Sequence, residues 1–203
     1  VPERLTGPQL SFNFTIRKYL LGVKLLSLSS VILEDLSVRK IAQPIMKHLS
    51  SVTGETIVLA MYSDDGAICI EKIESVNSVK TTSQVGKYFP LHAGATGLAV
   101  LMGMPIEQIK DILYKKPLEK YTDRTITEPE KIIEMILSAK EKGYIISSGT
   151  VDPGVMAVGT PLNFTQENLF MGLSITGPKY RFEKNDKFII DELMKAKTAI
   201  LQG

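Results

Sequence analysis

Few residues in this chain carry the chemistry of catalysis or metal binding: among 203 residues there are one Cys and two His. A nucleophile needs an activating base within reach, and the imidazoles available are His48 and His92. His48 falls on the polar side of a helical pattern, where a solvated ring is the plainer reading. Cys69 alternates with Ile68 and Ile70 in a strand pattern and reads as a small inert filler. Asp64 and Asp65 precede Gly66 in a turn signature, where carboxylates serve backbone geometry. One Cys forms no intramolecular disulfide, and with two His it leaves too few soft ligands for structural zinc. The G-x-S-x-G elbow and the P-loop pattern are both missing. No enzyme, metal or cofactor is called for, and a small hydrolase or transferase using His92 is the weaker alternative.

Two other groups of residues suit the binding of a small molecule. His92-Ala93-Gly94-Ala95-Thr96-Gly97 leads into Leu98-Ala99-Val100-Leu101. Small side chains let a ligand approach the backbone, and a helix start offers free N–H groups at the positive end of its dipole. That suits an anion or a carbonyl oxygen. The same glycines would equally serve a tight approach of helix to sheet. Ser174 and Thr176, two apart in a strand, share a face, while Leu173 and Ile175 point the other way. Hydroxyls on an apolar face need partners, supplied by a helix above or by a ligand. Val155 and Ala157 start the neighbouring strand, fed by the glycine-rich SSGTVDPGV stretch.

The elements that position these residues follow from periodicity. Residues 1–11 lack it and read as a loosely packed tail. Phe12, Phe14 and Ile16 alternate with polar residues, a strand over Phe12–Lys18. Gly22 precedes a short helix, and Ser37 caps a longer one. That longer helix has the stripe Val38, Ile41, Ala42, Ile45, Met46, Leu49 and Val52, contains Pro44, and ends at Gly54. Two strands flank Asp64-Asp65-Gly66 as a hairpin, and a third is predicted at Val79–Val85. Helices follow from about Thr96, from Pro105, and over Pro129–Lys142 with the stripe Ile132, Ile133, Ile136, Leu137 and Ala139. Strands at Tyr144–Ser147, Val155–Leu162 and Leu169–Thr176 come next, with NFTQEN as a turn. The last helix starts near Lys184 and carries Ile189, Leu193, Ala196 and Ile200. Hairpins in runs and helices in blocks make this α+β with a mainly antiparallel sheet.

Composition agrees with a soluble globular domain: 44% hydrophobic, 23% charged, net charge +2. A chain of this length buries roughly 70% of its unfolded surface. Its near-neutral balance argues against electrostatically driven nucleic-acid binding. No apolar run approaches a membrane span, and the setting reads as reducing and cytoplasmic.

In order, LGVKLLSLSS, SVRKIAQPIMKHLSSVTGET, PLHAGATGLAVL, EKGYIIS and LFMGLSITGPKYRF resemble the IclR (isocitrate lyase regulator) family of transcriptional regulators, from about Tyr19 to the C-terminus. The resemblance is to the C-terminal effector-binding domain and implies a GAF-like or PAS-like fold, a central antiparallel sheet flanked by helices. It implies residues 1–30 as the remnant of a winged-helix wing strand and linker helix, and residues 31–203 as the effector domain. The DNA-reading helix-turn-helix is expected upstream of this chain. Carried over, the ligand-binding residues are Ala95, Thr96, Gly97, Ser147, Val155, Ala157, Ser174 and Thr176. Where many relatives have acidic residues after the tyrosine strand, this chain has Ser147-Ser148-Gly149 and, further on, Asp152. Small hydroxyls and backbone N–H groups then favour a neutral or anionic effector over a cation. The resemblance further implies a homodimer or homotetramer. A stand-alone GAF-like sensor acting through a protein partner is the alternative.

Overall fold

The computed structural model describes residues 10–13, 18–22, 24–25, 36–63, 66–81, 83–164 and 169–202. The chain divides into two compact units, Val1–Lys40 and Ile41–Gly203. In the first, β1 (Leu10–Asn13) pairs antiparallel with β2 (Lys18–Leu21), Leu10 opposite Leu21. The single predicted strand Phe12–Lys18 is therefore two, and Leu10 and Ser11 belong to the first rather than to a loose tail. Alternation has period two on both arms of a hairpin and does not mark where a chain reverses. Residues 14–17 lie outside the described residues. The predicted helix after Gly22 is represented by Lys24 and Leu25, whose N–H donates to the Gly22 carbonyl at 3.0 Å; the rest of it lies outside them too.

Next comes α1 (Ser37–Thr53), which keeps Pro44 in its interior. Ala42, Met46 and Leu49 are buried, but Val52 of the predicted stripe is 39% exposed on the last turn. The second unit is built on six antiparallel strands: β3 (Thr56–Ser63), β4 (Gly66–Ile73), β5 (Tyr88–Phe89), β6 (Ile145–Ser148), β7 (Val155–Phe164) and β8 (Leu169–Pro178). Their order is β5-β4-β3-β8-β7-β6. Ser63 pairs with Gly66, as the turn signature requires, though Asp64 and Asp65 themselves fall outside the described residues. At the centre, β3 pairs with β8, setting Val58 opposite Ser174 and Thr56 opposite Thr176. The helices are α2 (Ala95–Met102), α3 (Ile106–Tyr114), α4 (Pro129–Lys142) and α5 (Lys179–Gln202).

Three expectations fail for identifiable reasons. None of the described residues of Val79–Val85 lies in a strand: β4 is paired on that side by Tyr88 and Phe89 of β5, and the valines have no ladder to join. Val76 and Val79 are solvent-exposed. Side chains hold the segment instead. Ser75 donates through its N–H to Thr56 Oγ1 at 3.2 Å and through Oγ to the Gly54 carbonyl at 2.6 Å. Further along, Lys72 reaches the Ser83 carbonyl. Leu137 of the α4 stripe is 48% exposed, because Ile132, Ile136 and Ala139 already fill the buried face. Finally, α5 starts at Lys179 directly after β8, not near Lys184. Its first turns are separated from the regular apolar stripe by Asn185, whose backbone is non-helical (φ −140°, ψ 22°). Periodicity detects only what lies beyond that break.

Candidate functional site

All eight residues of α2 are buried, because its backbone lies directly on the sheet. Two glycines permit this. A Cβ at Gly159 of β7 would stand 2.4 Å from the Ala95 carbonyl oxygen. One at Gly172 of β8 would stand 3.0 Å from the Thr96 oxygen and from the Val100 nitrogen. Gly97 performs the same service on the far side of the helix, where a Cβ would fall 1.9 Å from the Pro90 oxygen. Of the two roles open to this glycine loop, Gly97 takes the packing role.

At the N-terminal end of α2 a cavity of about 130 Å³ remains between helix and sheet. Its floor is Val58, Val155, Ala157 and Thr176 of the three central strands, with Ser147 of β6 at one side. Ala93 to Thr96 form the roof. Thr81, Ser83 and Lys87 to Pro90 close one wall, and Gly149 to Asp152 the other.

The structure thus gathers Ala95, Thr96, Ser147, Val155, Ala157 and Thr176 around one space. Gly97 and Ser174 are not in its lining. Ser174 is fully buried, and its hydroxyl meets Thr96 Oγ1 at 2.8 Å. Of the hydroxyl pair, then, the helix above satisfies Ser174. Thr176 Oγ1 has no partner among the described residues and lies on the cavity floor. Thr150, not anticipated from the sequence, orders the roof: its Oγ1 accepts the Gly94 N–H at 3.0 Å and meets Ser147 Oγ at 2.6 Å. Ser83, also unanticipated, is buried with an Oγ that finds no partner among the described residues. Nothing in the local pattern around Ser83 announces this, since its segment looks like a strand.

The chemistry on offer is donor-rich. The first N–H groups of α2 have no acceptor within the helix, and no side chain caps them. They carry the positive end of the helix dipole to the roof. Lys87 and Asp152 supply one charge of each sign at the rim.

His92 takes no part. Its Nε2 is 2.8 Å from the Glu119 carbonyl oxygen and its ring stacks on Tyr121. It lines a separate cleft of about 640 Å³ under α3. His48 is exposed on α1. Among the described residues no three His, Cys, Asp or Glu side chains group as a metal would need. Cys69 is buried, its Sγ donating weakly to the Glu71 carbonyl at 3.5 Å. Burial pushes its thiol up to about 11. At pH 8 the thiolate fraction of such a group is ~0.1%, against ~25% for a free cysteine. Iodoacetamide is therefore expected to label the folded protein ~100-fold more slowly than the urea-unfolded chain. Equal rates would show that the thiol is not enclosed.

Residues 30–201 match the family described as bacterial transcriptional regulator IclR C-terminal. The chain belongs to the IclR family. The HTH-type transcriptional regulator KipR of Bacillus subtilis (strain 168) is 32% identical over 184 residues, covering 91% of this chain and 73% of KipR. The HTH-type transcriptional regulator KdgR of Dickeya chrysanthemi is 29% identical over 170 residues, 84% of this chain but 56% of KdgR. The chain thus spans between about half and three quarters of these regulators. The crystal structure of the Thermotoga maritima IclR superposes with a TM-score of 0.82 at 26% identity, over 93% of this chain and 76% of that one. The antiparallel sheet with its helices is the GAF-like fold of IclR C-terminal domains, and every residue around the cavity lies inside the IclR match. Among the described residues no helix is long and apolar enough to cross a membrane.

Proposed function

We propose that the cavity beneath α2 binds a compact neutral or anionic metabolite, and that the chain is the effector-binding and oligomerising part of a cytoplasmic transcriptional regulator. DNA would be read by a helix-turn-helix in the full-length protein, as the names of the IclR-family relatives suggest, and the domain would self-associate as a homodimer or homotetramer. The domain acts as a receptor and not as an enzyme: His92 is occupied elsewhere and Cys69 is protonated. Regulation requires the effector to favour one loop or quaternary state over the other. The roof residues Gly94 to Thr96 are the element it would bias.

One observation carries the reading. The Ser83 hydroxyl is buried at the cavity wall without a partner among the described residues, and buried polar groups are rarely left so. A ligand oxygen would complete it. At about 130 Å³ the space suits an organic acid of a few carbons rather than the ligands of pockets of 300–1,000 Å³.

The test is a thermal-shift screen of two- to five-carbon carboxylates and their neutral amides and alcohols. A ligand at ~100 times its dissociation constant stabilises by about 2.7 kcal/mol, a rise of roughly 5–10 °C for a domain of this size. Ser83→Ala is expected to leave the unliganded melting temperature unchanged, because no protein bond is lost, while weakening the hit about tenfold. Failure of every compound at millimolar concentration would overturn the proposal. So would a tight amine ligand accompanied by indifference to carboxylates.

A further inference from the structure

Ser147 and Ser148 are consecutive on the edge strand β6, so their side chains face opposite ways. Ser147 faces the cavity already described. The Ser148 Oγ is buried on the other side, again with no partner among the described residues. Ser148 lines a second pocket of about 330 Å³ at the edge of the sheet, together with Arg124 and Lys179.

Both cations extend from backbone that is itself tied down. The Arg124 stem lies across Gly149, where a Cβ would meet Arg124 Cδ at 3.2 Å. Thr122 Oγ1 accepts the Arg124 N–H at 3.1 Å and donates to the Gly149 carbonyl at 2.6 Å. Thr125 Oγ1 donates to the Thr150 carbonyl at 2.7 Å. Two threonines therefore stitch the turn carrying Arg124 to the loop after β6. Lys179 opens α5, and its N–H donates to the Gly154 carbonyl at 2.7 Å. Its ammonium pairs, among the described residues, with Glu183 at 3.3 Å, on an exposed surface where such pairs contribute little. The Arg124 guanidinium has no carboxylate partner among the described residues. The pocket's own carboxylate, Asp123, is fully exposed and lies 3.3 Å from Lys120.

We propose that this edge pocket is a binding site for a small oxyanion, phosphate or the phosphoryl group of a metabolite, separate from the effector cavity. A guanidinium fork, an ammonium and an unused hydroxyl are the donors that a tetrahedral anion takes up. The threonine stitches fix the turn from which Arg124 extends, which reduces the ordering an anion must impose.

The test is titration of the intact 203-residue chain with inorganic phosphate and with glycerol phosphate at constant ionic strength, followed by calorimetry and by the amide resonances of Gly149 and Gly154. Saturable binding is expected for both. A tighter ester would identify the phosphoryl group of a larger molecule as the ligand, and equal affinity would identify phosphate alone; either supports the site. Arg124→Gln is expected to weaken binding at least tenfold and Ser148→Ala about threefold. Lys47→Gln, which removes the same charge from exposed α1, should leave it unchanged. Arg124→Lys keeps the charge but not the fork and should fall in between, and it serves if the glutamine variant is unstable. Absence of saturation at tens of millimolar, or equal losses in Lys47→Gln and Arg124→Gln, would overturn the proposal.

Discussion

Gly97→Ala is expected to destabilise the domain by about 3 kcal/mol or more, at the upper end of what overpacking does. The added methyl would sit 1.9 Å from the Pro90 oxygen, 2.8 Å from the Pro90 carbonyl carbon and 2.9 Å from Leu91 Cα. All three are backbone atoms, so no side chain can rotate away. Nor can α2 retreat, because on its opposite side the Ala95 and Thr96 carbonyls already rest on Gly159 and Gly172. The helix is clamped between sheet and loop, and the methyl must displace one of them. Gly86→Ala is the control. It places a residue at φ +86° with nothing within 4 Å of the new Cβ, so it reports backbone strain alone, about 1–2 kcal/mol. Urea unfolding of both variants separates the two effects. Should Gly97→Ala lose no more than Gly86→Ala, the loop from Pro90 to Gly97 yields, and the clamp is not what defines the cavity roof. If the clamp is real, the variant should also lose ligand binding before it loses the fold, since Ala95 and Thr96 stand just before Gly97 on the same helix.

That clamp shows how far local pattern reaches. Small residues before a buried apolar helix are visible in the sequence, and so is the start of the helix. Gly97 packs on Pro90 and Leu91 close by, but which of its neighbours lines a cavity depends on β7 and β8, about 60 positions or more further along the chain. Gly159 and Gly172 face the same helix only because β7 and β8 pair with Gly159 opposite Ser174 and Pro161 opposite Gly172. Period two likewise places Ser174 and Thr176 on one face, but it cannot say that α2 begins where Thr96 covers the first and leaves the second open. Ser83 was beyond reach for a different reason. Its surroundings, Val79 to Val85, carry the β-branched composition of a strand, and burial of its hydroxyl comes from a segment folded over the sheet's end by side-chain bonds. Strand propensity describes fit to a pleated surface, and here no neighbouring strand supplies one.

Arg181→Met is expected to be as damaging as the glycine change, and more so than Glu55→Gln. Glu55, 2% exposed, receives Arg181 Nε on Oε1 at 2.5 Å and Nη2 on Oε2 at 2.7 Å. That bidentate bond holds the guanidinium charged beyond its already high ordinary range. Behind the carboxylate stands Gly177, where any Cβ would lie 2.2 Å from Oε2, so the acid has a recess cut for it and no route to water. Deleting its partner strands a buried charge, at a loss of about 3–5 kcal/mol. The arginine side chain is 21% exposed, so Glu55→Gln leaves a cation that can still be hydrated, and the loss should be smaller. Replacing both, as Glu55→Leu with Arg181→Met, should recover much of it, because a buried pair is often no more stable than an apolar one of its size. Urea unfolding of Arg181→Met, Glu55→Leu and their double variant measures the coupling energy, and Glu55→Gln beside them tests the asymmetry. A glutamine variant worse than the methionine one would refute the asymmetry. Arg181 also donates from Nη2 to the Val79 carbonyl at 2.9 Å, anchoring the segment that carries Thr81 and Ser83 to the cavity wall. The double variant should therefore regain stability without regaining full ligand affinity. The ion pair's use, on that outcome, lies in placing the wall rather than in holding the fold together.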